Sequence, residues 1–147
     1  MVLFVALFGG WGLFRLLGLL GVSWFDGWAP ALAGGLALMF LLTGTAHFSS
    51  KRRNDLIAMV PPSLPFPARL VDVTGVLELA GVVGLLLPPT SRLAAGCLAV
   101  LLVLMFPANV YAARHSLGVG GEPATPLPRR TVEQFVYIGA CVAVVLA

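Results

Sequence analysis

Charge is scarce in this sequence. Lys, Arg, Asp and Glu make up 10% of the 147 residues, against 59% apolar. Soluble domains carry roughly 25% charged residues and about 45–50% apolar ones. Nine Lys and Arg, six Asp and Glu and two His are too few to clothe a water-soluble globule of this size. The shortage excludes a soluble enzyme, a disordered chain and a nucleic-acid-binding module, so nucleic acid is not an expected partner. Histidine and cysteine are scarce too. His47, His115, Cys97 and Cys141 form no CxxC pair and no metal-ligand spacing, and no metal centre is expected. The N-terminal run MVLFVALFGGWGLF has neither a basic n-region nor a small-residue cleavage pattern. It reads as a retained span, not a cleaved leader.

Long apolar runs are what the sequence has instead. Prolines punctuate it into five spans, at 2–21, 30–48, 69–87, 92–113 and 131–147. A bilayer core takes about 20 helical residues, and backbone groups in lipid must satisfy themselves within a helix. The expected fold is an all-α membrane protein forming one domain over 1–147. Spans two to five make an antiparallel four-helix bundle, and the first span is one extra N-terminal transmembrane helix. Lys51, Arg52, Arg53, Arg69, Arg114, Arg129 and Arg130 fall on one side of the spans, and Arg92 alone on the other. Excess Lys and Arg mark the cytoplasmic side, which puts the N-terminus inside and the C-terminus outside. Trp24, Phe25 and Trp28 suit an aromatic belt in the first external loop. In the loop 49–68, Ser49 or Ser50 can cap a short interfacial helix running to about Val60, a connector or an anionic-lipid contact.

Polar residues inside the spans are the candidate site, because an ionisable side chain in lipid is costly unless paired or turned inward. Glu78 lies well inside span three, with Thr74 and Gly75 one turn before it and Gly81 and Val82 one turn after. That small-residue face admits a close neighbour, so Glu78 is expected to point into the bundle. It serves there either as a structural hydrogen bond or in proton handling or ligand binding. His47, Asp72, Asn109 and Gln134 each lie about one turn from a span end, and alternating spans bring them to one membrane face. They either join one hydrogen-bond network, hold the polar head of a ligand, or gather there as interfacial polar residues do. Arg15, deep in span one, either snorkels to the headgroups or pairs with Glu78. Cys97 and Cys141 fall at similar depth and read as small fillers, or as a redox pair if their helices touch there. Pro107 is expected to kink span four and free the carbonyl of Val103.

The runs LLTGTAHFSS (41–50), MVPPSLPFP (59–67), TGVLELAGVVGLLLPPTSRLAA (74–95) and MFPANVYAAR (105–114) occur in the order seen in the DoxX-like family of small bacterial integral membrane proteins. The chain resembles that family over about residues 30–147. The resemblance implies a four-helix membrane core over spans two to five and a place in the bacterial cytoplasmic membrane. It marks His47, Glu78 and Asn109 as site positions, with Pro61, Pro62, Pro65 and Pro107 as structural ones. The family takes its name from a subunit of a thiosulfate:quinone oxidoreductase, other members are linked to redox stress, and distant relatives assist assembly of membrane receptors. Two functions are therefore expected. One is a redox-associated membrane protein or subunit binding a quinone-like lipid at the polar layer. The other is a non-enzymatic accessory or assembly protein packing against a membrane-protein partner. A proton-coupled carrier ranks below both, since five spans give no inverted repeat with broken helices.

Overall fold

The structure, a computed structural model, describes residues 1–147. It is entirely helical. Helix α1 runs Val2–Leu19, with one wider π-type turn over Val5–Gly9. It is followed by α2 (Trp28–Ala46), the short α3 (Arg53–Met59), α4 (Pro67–Leu86), α5 (Ser91–Arg114) and α6 (Leu127–Leu146). The prolines fall where their missing N–H costs least. Pro67 and Pro128 sit in the first turns of α4 and α6, and Pro88 and Pro89 follow the end of α4. Pro107 lies inside α5, which nonetheless continues to Arg114. The loop helix forms where the sequence places it, but no serine side chain caps it. Instead the Ser49 carbonyl accepts the Arg53 N–H at 2.8 Å.

Three helices, α1, α2 and α5, are long and apolar enough to cross a membrane. Helices α4 and α6 have 20 residues each and match the bilayer in length. They fall short in apolarity because each carries three charges: Arg69, Asp72 and Glu78 in one, Arg129, Arg130 and Glu133 in the other. The chain's apolar surface is consistent with a lipid surround. Leu93, Leu104 and Phe135 are each at least 69% exposed on helix faces with no protein neighbour to cover them.

Helix α2 is the hub. It packs along α4 and α1, and also touches α6. Helix α4 in turn packs on α5, and α5 packs along α6. The contact with α1 is a backbone approach. A Cβ on Gly35 would lie 2.4 Å from the Leu7 carbonyl oxygen and 2.8 Å from the Trp11 nitrogen. Only glycine lets the two helices come so close. The apolar core holds Leu7, Leu36, Phe40, Leu85, Leu98 and Cys141. It occupies the half of the molecule nearer the 87–91 turn. The other half, where α2 ends and α4 begins, is polar inside.

Candidate functional site

The polar half is organised by Glu78 and His47, which are 2% and 4% exposed. Glu78 projects from α4 toward α2, as its small-residue face implies. That face divides between two neighbours. Gly75 receives α2, where a Cβ would meet the His47 Cβ at 2.6 Å. Gly81 receives Leu98 of α5, where a Cβ would meet its side chain at 2.6 Å. On α2, Gly44 returns the favour, with Glu78 and Leu79 filling the space a side chain would take.

The hydrogen bonds define the cluster. The Thr43 hydroxyl donates to Glu78 Oε2 at 2.5 Å. His47 Nε2 faces Glu78 Oε1 at 3.5 Å. His47 Nδ1 lies 2.7 Å from the Val71 carbonyl oxygen and 3.3 Å from Thr74 Oγ1. A carbonyl can only accept, so Nδ1 carries a proton and donates it to Val71. The Thr74 hydroxyl donates to the Leu70 carbonyl at 2.8 Å, leaving its lone pairs toward the imidazole. With Nδ1 fixed as N–H, the proton count at Nε2 and Oε1 follows. No proton leaves a buried carboxylate against a lone pair, and two leave an imidazolium against a neutral acid. One proton shared across the 3.5 Å contact pairs the groups in either position. The cluster thus has room for one proton between Nε2 and Oε1, and is clamped by Thr43 on one side and Val71 on the other.

Asp72 stands at its rim. Arg53 of α3 grips the carboxylate with two bonds, Nε to Oδ1 at 3.0 Å and Nη2 to Oδ2 at 2.9 Å. The carboxylate beside Arg53 holds its guanidinium above the usual arginine range. Both side chains are about a third or more exposed, so the pair orients α3 more than it stabilises the protein. A second tie folds the 115–126 loop onto α3, with the Gly120 N–H donating to Asp55 Oδ2 at 2.8 Å. A shallow apolar groove of about 220 Å³ runs from Asp72 along Val73, Val76 and Leu77.

The structure decides two alternatives that the sequence leaves open. The polar residues do not form one network. Glu78, His47 and Thr74 come together between α2 and α4, with Asp72 beside them. Asn109 belongs to a separate set between α5 and α6, accepting a bond from Arg130 Nη1 at 3.0 Å. Gln134 belongs there too, donating to the Leu102 carbonyl at 2.5 Å, one residue from the carbonyl that Pro107 frees. Nor does Arg15 pair with Glu78. Its guanidinium donates to Asp26 Oδ1 at 3.0 Å, near the 20–27 turn. Glu78 is enclosed by Thr43 and His47 and offers Arg15 no approach. Cys141 is buried while Cys97 is exposed, and both are free thiols.

Three further residues take part. Thr43 lies one turn before His47 on α2, so the spacing that placed His47 could have found it. Arg53 and Arg130 look like loop charges in the sequence, and only folding shows which carboxylate or amide each reaches.

No curated protein and no solved structure matches the chain. A family model does match it, over residues 36–145, which spans α2 from its middle, the whole polar cluster and nearly all of α6. The chain therefore belongs to the family described as Domain of unknown function (DUF8561).

Proposed function

We propose that this is a DoxX-like, multi-pass protein of the bacterial cytoplasmic membrane, a redox-associated subunit that binds a quinone-like lipid beside a buried one-proton site. In this reading α2, α4, α5 and α6 form an antiparallel four-helix bundle and α1 is the added span. The N-terminus is inside and the C-terminus outside. The basic residues at the α2–α4 end favour that orientation, with Lys51, Arg52, Arg69 and Arg114 grouped there and Arg92 opposite.

One observation carries the functional reading: a carboxyl 2% exposed meets an imidazole 4% exposed, with Nδ1 held by Val71 and Nε2 turned to Glu78 Oε1 at 3.5 Å. A purely structural bond between helices needs no titratable pair, and an amide or hydroxyl would serve at lower cost. The residues fit a quinone-like lipid in two respects. The groove along Val73, Val76 and Leu77 gives an apolar tail a track that ends at Asp72. On the opposite face of α4, the His47–Glu78 pair can hold the one proton that a quinone carbonyl or quinol hydroxyl requires. A bound quinone supplies the electron chemistry. The chain's own part is to hold the headgroup and buffer one proton.

The accessory-protein reading is second. A partner helix would need a free small-residue face and short loops, and Gly44, Gly75 and Gly81 spend the face around Glu78 on the chain's own helices.

Extraction tests the proposal. Protein purified from its native membrane should retain quinone, and Glu78→Gln, which removes the proton that the pair supplies, should weaken binding of a short-chain quinone about tenfold. No quinone in the extract, and no binding on adding it back, would sink the proposal.

A further inference from the structure

The chain enters α4 through a strained residue. Phe66, just before the helix, stands at φ +52° and ψ +56°, the left-handed region that a bulky side chain rarely adopts. Pro67 follows it and narrows its choices further. Such a conformation costs free energy and persists where something offsets it. Burial within this chain does not, because the Phe66 ring is 66% exposed. The Arg69 guanidinium lies over the ring, 5.2 Å from its centre. The loop that presents the ring is stiff. Pro61, Pro62, Pro65 and Pro67 punctuate it, and the Leu64 N–H donates to the Pro61 carbonyl at 3.0 Å. Two patterns meet at the ring. Phe66, Leu70, Val73 and Leu77 recur at helical spacing and are all exposed, so the ring ends an outward apolar stripe. At the same end of the molecule Lys51, Arg52, Arg69 and Arg114 are exposed and belong to none of the four ion pairs. The acids there are engaged: Asp72 by Arg53, Asp55 by the Gly120 N–H and Glu133 by Arg129. Only Glu122 is left to face the four cations.

We propose that the 61–67 loop docks on an anionic lipid surface, with Leu64 and Phe66 entering the headgroup boundary and Arg69, Lys51 and Arg52 on the lipid phosphates. The proposal rests on the membrane-spanning part of the reading above and not on quinone. Removing the exposed ring from water offsets the strained backbone that holds it there. Arg69 can lie over the ring and still direct its N–H groups at a phosphate, since guanidinium stacking and hydrogen bonding use different directions. Charge and apolarity meet at one level, as they do where acyl chains give way to anionic headgroups. An acidic protein segment would suit the cations, but it would leave the stripe from Phe66 to Leu77 bare. Lipid tails cover that stripe along its whole length.

The test uses the full chain in nanodiscs of mixed phosphatidylcholine and phosphatidylglycerol, with retained lipid read by native mass spectrometry and no quinone present. The wild type should retain phosphatidylglycerol in preference to phosphatidylcholine. Arg69→Gln should reduce that preference about fivefold, the effect of one cation near an anionic surface. Arg92→Gln, at the opposite end, should leave it unchanged. Phe66→Gly should reduce the preference several-fold and yet raise the thermal midpoint in detergent by a few degrees, because glycine accepts the left-handed backbone without strain. A ring that served only the fold would give the opposite change in midpoint. Equal preference in wild type, Arg69→Gln and Phe66→Gly would overturn the proposal, as would an equal loss in Arg92→Gln. Absence of any preference, with binding of a polyglutamate peptide instead, would overturn it in favour of an acidic protein segment. A chain that does not enter nanodiscs would overturn the membrane-spanning reading and this proposal with it. A chain that enters them and shows no preference overturns this proposal alone.

Discussion

Glu78→Ala should cost about 3–5 kcal/mol of folding free energy, the usual result of removing one partner from a buried pair. Glu78→Gln should cost only about 1 kcal/mol. The contrast follows from what surrounds the carboxyl. Alanine leaves the Thr43 hydroxyl and His47 Nε2 facing an empty space at a point 2–4% exposed. Glutamine keeps the shape. Its carbonyl accepts from Thr43, and its amide donates to a neutral imidazole whose Nδ1 proton remains on Val71. The glutamine variant should therefore fold and still lack the mobile proton. Denaturation in mixed micelles measures both values. Equal losses would mean that the pair is not organised as one proton between two acceptors.

Gly75→Leu should have an effect of similar size, at least about 3 kcal/mol, the upper end of the overpacking range. The reason is where the new atom lands. A Cβ at this position would lie 2.6 Å from His47 Cβ and 2.9 Å from the Phe48 ring. Neither is the free tip of a flexible chain, so the end of α2 must lift off α4. That movement separates His47 Nε2 from Glu78 as well, and the variant should lose quinone binding with its stability. Gly139→Leu is the control. Nothing lies within 4 Å of a Cβ there, and replacing a helical glycine should stabilise by up to about 1 kcal/mol. The difference between two glycines in long helices isolates the close approach from helix propensity.

These residues show which parts of the protein can be read from sequence. The helices were legible because lipid-length apolar runs end at proline clusters, and expected and observed boundaries agree within a few residues. Glu78 was legible because a charge in an apolar run needs a reason, and its glycine neighbours showed the direction it faces. Its contact with His47 was not. Depth along the helix put Glu78 near the midplane and His47 at the interface. The gap closes because Gly75 seats the base of the His47 side chain directly on α4, letting the imidazole reach inward. The division of the polar layer was likewise hidden. A helical period shows which residues share one helix face, but not which neighbour meets that face. Asn109 and Gln134 accordingly look like partners of Asp72 until the packing of α5 on α6 is known. The two readings of Arg15 stay open in the sequence for a related reason. Its long side chain can reach either way, and the decision rests with Asp26, a turn residue outside the span.

The most direct test of the central claim is an infrared difference spectrum of the protein in nanodiscs, recorded on adding a short-chain quinone. If the His47–Glu78 pair holds the proton offered to the ligand, the spectrum contains a carboxyl band that Glu78→Gln removes, accompanied by an imidazole change. If quinone binds and wild type and Glu78→Gln give identical spectra, the buried pair is a structural fastening and the proton site lies elsewhere.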